Sequence, residues 1–195
     1  MTRIPGLRAF IDATESAIAE VECSADAKRT ASKVFSRLRN GRGRVRLSGG
    51  GTLNVCSHLD HALNLGRDGR QVSRVADALR MIEPWLVWTR RANADPDLQG
   101  FYDGHANAMI VGPGGLELRD DVWIGVTLMA PGVTYVEHEH PPEEVYLALT
   151  PGEWWNADMP WIEPGIGGIV YNPPGIRHTM RSNSEPLLAI WCLPI

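Results

Sequence analysis

Four side chains within nine residues concentrate the chemistry of this sequence: His138, His140, Glu144 and Tyr146, inside the stretch GVTYVEHEHPPEEVYLALTPG from Gly132 to Gly152. Imidazole nitrogen, carboxylate and phenol oxygen can all bind a metal ion, and the mixture suits zinc, iron(II), manganese, nickel or cobalt. Side chains two apart on a strand share a face, so His138 and His140 are neighbours, as are Glu144 and Tyr146. Pro141-Pro142 cannot continue a ladder. The chain is therefore expected to turn there and bring both pairs together in a hairpin-like arrangement. A further donor is His178, where the turn Pro173-Pro174-Gly175 leads into another strand. Two histidines and a carboxylate at inward strand positions are costly to bury without a partner. His140, Glu144 and His178 are accordingly read as ligands of one divalent transition metal. His138 is read either as a further ligand or as a substrate contact. The remaining histidines, His58, His61 and His105, are read as exposed.

The elements that must position these groups divide at residues 84–104. Before that point the sequence is helical: Leu7, Phe10, Ile11, Ile18 and Val21 recur on one helix face, and Ala31, Val34, Phe35 and Leu38 on another. The second helix is expected to stop at Asn40-Gly41. Two more helical segments are expected over 54–65 and 71–82. The stretch with Arg42, Arg44, Arg46 and three glycines lacks GK[ST] and a preceding apolar strand, so it is not a phosphate-binding loop. From about Ala106 onward, short apolar runs alternate with Gly- and Pro-containing turns: NAMIVG, LEL, VWIGVTLMA, TYVEHEH, EVYLALT, GGIVYN, TMRS and LLAIWCLPI. That texture is an antiparallel sandwich or barrel. The domain reading is a helical region over 1–84 packed against a β-barrel over 85–195.

Bulk properties exclude several classes. A chain of 195 residues with 44% hydrophobic and 22% charged residues is an ordinary globular protein. A net charge of -4 gives no reason to expect nucleic-acid binding. No apolar run reaches the ~18 residues of a membrane span, and the first residues lack the apolar core of a signal peptide. Three scattered cysteines, Cys23, Cys56 and Cys192, are read as free buried thiols in a reducing cytoplasm.

Gly132, His138, His140, Glu144 and Gly152 resemble the first cupin motif, G-x5-HxH-x3-E-x6-G, with one extra residue before the last glycine. Gly167, Pro173, Gly175 and His178 resemble the second, G-x5-PxG-x2-H-x3-N, with Asn183 one place late. The resemblance implies a cupin double-stranded β-barrel of jelly-roll type closed around the metal. A helical N-terminal part, one cupin unit and Tyr146 two residues after the metal glutamate look like the cupin-type dimethylsulfoniopropionate lyases of the DddQ and DddL group. Carried over from that family, His140, Glu144, Tyr146 and His178 surround the metal with His138 close by, and Tyr135 contacts substrate.

The reaction this resemblance implies is elimination of dimethyl sulfide from dimethylsulfoniopropionate, leaving acrylate. A proton must leave the carbon beside an existing carboxylate. A metal on that carboxylate stabilises the growing charge, and a tyrosine touching the metal becomes a phenolate more easily than its ordinary pKa of about 10 allows. Tyr146 is thereby the expected general base. The sulfonium calls for aromatic faces, with Trp123, Trp154, Trp155, Trp161 and Trp191 as candidates. Strand parity sets Tyr135 opposite His138 unless a bulge intervenes. Two rivals remain at this level: another metal-dependent cupin enzyme, such as an iron dioxygenase acting on a small carboxylate, and a non-catalytic cupin that binds a small ligand. A homodimer is compatible with either.

Overall fold

A large sheet with two differently used faces organises the chain. The computed structural model describes residues 3–41, 43–47 and 49–195; Arg42 lies outside them. The first part of the chain carries α1 (Pro5–Glu20), α2 (Ala25–Asn40), α3 (Leu59–Asp68) and α4 (Ser73–Ile82). A short α5 (Gln99–Gly104) follows in the connection that was expected to be only turns. The strands are β1 (Arg44–Val45), β2 (Trp88–Thr89), β3 (His105–Val111), β4 (Glu117–Leu118), β5 (Val122–Met129), β6 (Glu144–Ala148), β7 (Glu153–Asn156), β8 (Met159–Ile162), β9 (Ile169–Asn172), β10 (His178–Arg181) and β11 (Leu187–Pro194). β7 and β8 had not been expected from the sequence, because the tryptophans and prolines there break the alternating pattern.

The large sheet runs β1-β4-β3-β5-β11-β6-β9, with β2 paired to β3, and a smaller sheet runs β10-β7-β8. Together they make a cupin double-stranded barrel packed against N-terminal helices. In β3, β5 and β11, alternate residues such as Ile110, Ile124, Val126, Leu128, Leu188 and Ile190 join the same apolar cluster as Leu7, Phe10, Val34, Phe35, Leu38 and Leu79 of the helices. Residues of opposite parity, including Met129, Tyr146, Ala148, Leu187 and Ala189, form a second cluster inside the barrel. Burial on both faces is why these strands read as nearly continuous apolar runs. Each fully buried large aliphatic or aromatic side chain contributes about 1.5–3 kcal/mol, so the helical layer is integral to the barrel's stability.

The helix ends follow local chemistry. Pro5 opens α1, where its missing N–H costs nothing. The Ser24 hydroxyl caps α2 by accepting from the Ala27 N–H at 3.1 Å. At the other end Gly41 is extended, with φ -148°, so its freedom from a Cβ is not what stops the helix. The Arg119 guanidinium instead donates to the Gly41 carbonyl at 2.6 Å and to the Arg37 carbonyl, which also accepts the Gly41 N–H, at 3.3 Å. Among the described residues, no helix is long and apolar enough to cross a membrane.

Two local expectations change. The segments before and after Pro141-Pro142 do not pair as a hairpin: β6 lies between β11 and β9, whereas Thr134 and His138 bridge to Arg181 and His178 of β10. The turn therefore carries the chain from one sheet to the other. It still converges the donors, because the two sheets face each other across the barrel. The second change concerns parity. Thr134 bridges Arg181, and His138, four residues on, bridges His178, only three residues back. One extra residue is accommodated between them, which is a bulge. It turns both Tyr135 and His138 toward the interior.

Candidate metal centre and substrate cavity

The His138, His140 and His178 ligand atoms lie within 4.8 Å of one another. The Glu144 carboxylate stands beside them, one oxygen 3.4 Å from His140 Nε2 and 3.3 Å from His178 Nε2. Each imidazole is oriented by its own backbone. His138 Nδ1 contacts the Val136 carbonyl at 3.0 Å, His140 Nδ1 the Pro142 carbonyl at 2.8 Å, and His178 Nδ1 the Ile176 carbonyl at 2.9 Å. A carbonyl can only accept, so Nδ1 carries the proton in every ring and Nε2 presents a lone pair to the centre. This backbone support is the arrangement that orients histidines for a metal.

The electrostatics fit the same use. His178 Nε2 is a buried polar atom with no hydrogen-bond partner, a condition native proteins rarely leave unrelieved. Burial, then the neighbouring His178, pushes the His138 pKa down to about 3, so His138 is neutral at ordinary pH. Burial alone would lower His140, but the Glu144 carboxylate outweighs it and raises the imidazole. Burial likewise works against the Glu144 carboxylate, yet the adjoining His140 and His178 imidazoles hold it at about 2. Asn172, opposite Glu144 across the β6–β9 ladder, donates to the carboxylate at 3.4 Å. Asn156 Nδ2 donates in turn to Asn172 Oδ1 at 3.0 Å. The preceding residue, Glu143, accepts from Thr30 and Lys33 of α2 at 2.7 and 2.6 Å and from Tyr171 at 3.1 Å. The helical layer thus pins the start of β6, where Glu144 sits. Three imidazole nitrogens and one carboxylate fit a single metal ion.

The cluster opens into a cavity of about 500 Å³ whose walls include Arg91, Tyr135, Tyr146, Trp123 and Trp191. Tyr146 lies two residues after Glu144 on β6 and is buried. Burial, then the Glu144 charge, pushes its hydroxyl well above the ordinary tyrosine range. The Trp191 ring lies over Gly125, where an added Cβ would come within 2.1 Å of a ring carbon. Of the other sulfonium candidates, Trp154 sits 6.5 Å from the Tyr146 ring in the core. Trp161 lies under the Arg181 guanidinium at the surface, and Trp155 is half-buried.

Several residues here had no signal in motif spacing. His105 is fully buried rather than exposed and stacks on Phe101 with ring centroids 3.7 Å apart. Its Nδ1 contacts the Phe101 carbonyl and its Nε2 accepts from the Arg91 N–H at 2.9 Å. His58 is half-buried, and only His61 is exposed, beside Glu185 at 2.6 Å. The His105 clamp sets Arg90 outward against Tyr102 and Asp103 and Arg91 on the cavity wall. Among the described residues Arg91 has no salt bridge. Of the cysteines only Cys192 is fully buried; Cys23 and Cys56 are half-buried, and all three are free.

Residues 26–189 match the family model described as dimethylsulfoniopropionate (DMSP) lyase. The chain belongs to the DMSP lyase family. Within it, the chain is 32% identical over 91 residues to dimethylsulfoniopropionate lyase DddQ of Ruegeria pomeroyi, a match spanning 46% of this chain and 45% of that protein. The fold resembles two family structures over nearly its whole length. One, from the crystal structures of DMSP lyases RdDddP and RnDddQII, gives a TM-score of 0.68 at 20% identity and covers 97% of this chain and 92% of that one. The other, DMSP lyase DddQ from Ruegeria pomeroyi DSS-3, gives 0.65 at 18% identity, covering 98% and 92%. At these identities the structural likeness speaks for the fold, and the family assignment rests on the sequence match.

Proposed function

We propose that the protein is a metal-dependent DMSP lyase that cleaves dimethylsulfoniopropionate to dimethyl sulfide and acrylate by β-elimination. The observation that carries this reading is the convergence of three imidazole Nε2 atoms and a buried carboxylate beside Tyr146, in a cavity whose walls also hold two tryptophans. His138, His140, Glu144 and His178 would hold one divalent transition metal, with Tyr146 within reach of it. When bound, that ion supplies Lewis acidity to the substrate carboxylate and positive charge that lowers the Tyr146 pKa.

The chain's own residues do the rest. Tyr146 takes the proton from the carbon next to the carboxylate. The electrons of the broken C–H bond form the new double bond, and the carbon–sulfur pair departs with neutral dimethyl sulfide. Trp191 and Trp123 offer π-faces to the sulfonium. Arg91 and Tyr135 stand on the same wall system as the histidines and are assigned to the carboxylate end. In this reading 85–195 is the catalytic barrel, and 1–84 is the helical support that anchors β6 through Glu143. The test is headspace measurement of dimethyl sulfide from metal-loaded protein given the substrate. Release that depends on the metal and disappears in His178→Ala supports the reading; no release from fully loaded protein refutes it.

A further inference from the structure

A directional chain of hydrogen bonds ends at the Tyr135 hydroxyl. The Trp191 Nε1–H, which can only donate, gives its proton to Thr127 Oγ1 at 3.2 Å. The Thr127 hydroxyl in turn donates to Asn107 Oδ1 at 2.5 Å. Accepting at Oδ1 fixes which end of the amide is which, and Asn107 Nδ2 faces Tyr135, donating to its hydroxyl oxygen at 2.9 Å. The Tyr135 oxygen is therefore an acceptor toward Asn107, and its own proton must point elsewhere. Tyr135 is 5% exposed. Behind its ring are Phe101 and His105, at centroid distances of 4.8 and 5.4 Å. Tyr135 lines the cavity shared with Arg91, His138 and Tyr146, and that is where a partner for the proton can be found.

We propose that Asn107, held by Thr127 and Trp191, is a positioning residue that aims the Tyr135 proton into the cavity, making Tyr135 the hydrogen-bond donor to the carboxylate of a bound substrate. The identity of that carboxylate rests on the lyase reading above. Donation there has a use: charge grows on the carboxylate oxygens as the neighbouring proton leaves, and a preorganised donor strengthens as it does. Because Trp191 also lines the cavity, the same ring supports the donor at one end and presents a face to the ligand.

Acrylate binding to metal-loaded protein, followed by calorimetry, tests this without turnover. A hydrogen bond to a charged group corresponds to roughly a ten- to hundredfold change in affinity. Tyr135→Phe should lose that much. Thr127→Val, nearly isosteric, should reproduce most of the loss, Thr127→Ser should restore it, and Thr127→Val should have no further effect in the Tyr135→Phe background. A Thr127→Val variant that binds like wild type, one whose loss adds to that of Tyr135→Phe, or a Thr127→Ser variant equally impaired would overturn the proposal. Should Thr127→Val not fold, Asn107→Asp serves instead, since its carboxylate captures the Tyr135 proton; wild-type affinity there also overturns it, as does a wild type that binds no acrylate. A wild type that binds acrylate and releases no dimethyl sulfide defeats the lyase reading alone. An active enzyme in which the binding cycle fails defeats the relay alone.

Discussion

Tyr146→Phe tests the proposed base apart from everything around it. The ring is 4% exposed and sits opposite Trp191 and Val170 on the neighbouring strands, with Trp154 at 6.5 Å. Phenylalanine preserves those contacts and deletes one oxygen from a site that resists ionisation because it is buried and beside Glu144. The thermal midpoint should therefore hold or rise slightly. Metal content should also hold, since three imidazoles and a carboxylate remain. The rate should not: losing a positioned general base costs about 10²–10⁴-fold, or about 2.7–5.4 kcal/mol at about 1.36 kcal/mol per decade. KM should change only a few-fold, because the aromatic wall is intact. The assay combines headspace dimethyl sulfide, acrylate absorbance and metal analysis on the same preparation. A variant with full metal and kcat within threefold of wild type refutes the assignment. So does a variant whose activity falls only in proportion to lost metal, for Tyr146 would then be a ligand and nothing more.

Gly125→Ala should force the Trp191 ring away, since the new methyl would lie 2.1 Å from one ring carbon and 2.7 Å from the Ala108 carbonyl oxygen. Overpacking of this kind costs about 1–3 kcal/mol, and Tm should fall by roughly 2–4 °C for each; an unchanged Tm and KM would mean that the ring moves freely and holds nothing. His105 predicts an acid limb. Burial lowers its pKa, the Phe101 carbonyl opposes that, and Arg90 and Arg91 reinforce it. Above the unfolded value of about 6.5 both states are neutral and stability is flat in this residue. As pH falls below that value the unfolded chain takes up a proton that the folded chain resists, so stability declines toward the depressed folded pKa. Urea midpoints of metal-free protein between pH 7 and pH 5 should fall more steeply for wild type than for His105→Gln; equal slopes would remove His105 from the account.

How much of this could be read from the sequence depends on whether the information is local. The convergence of His140, Glu144 and His178 was legible because turn chemistry and two-residue spacing act within a few residues, and the four helices because their apolar faces repeat. Strand pairing is not local, so Pro141-Pro142 looked like a hairpin turn when it is a crossing between sheets. The bulge between Thr134 and His138 is a mismatch in count against β10, more than forty residues away, and nothing in TYVEHEH announces it. The large sheet hides its inner face for another reason. When both faces are apolar, one covered by helices and one by the barrel interior, alternation disappears, and with it the usual label for inside and outside. What survives is the isolated polar residue in an apolar strand. Asn107 in HANAMIV and Thr127 in VWIGVTLM are such residues, and each shares its parity with the cavity wall through Met109 and Trp123. A lone amide and a lone hydroxyl would each be costly to bury, and across the β3–β5 ladder they fall opposite each other. Each is therefore the other's partner, and the direction of their bond is what gives Tyr135 a free proton to offer.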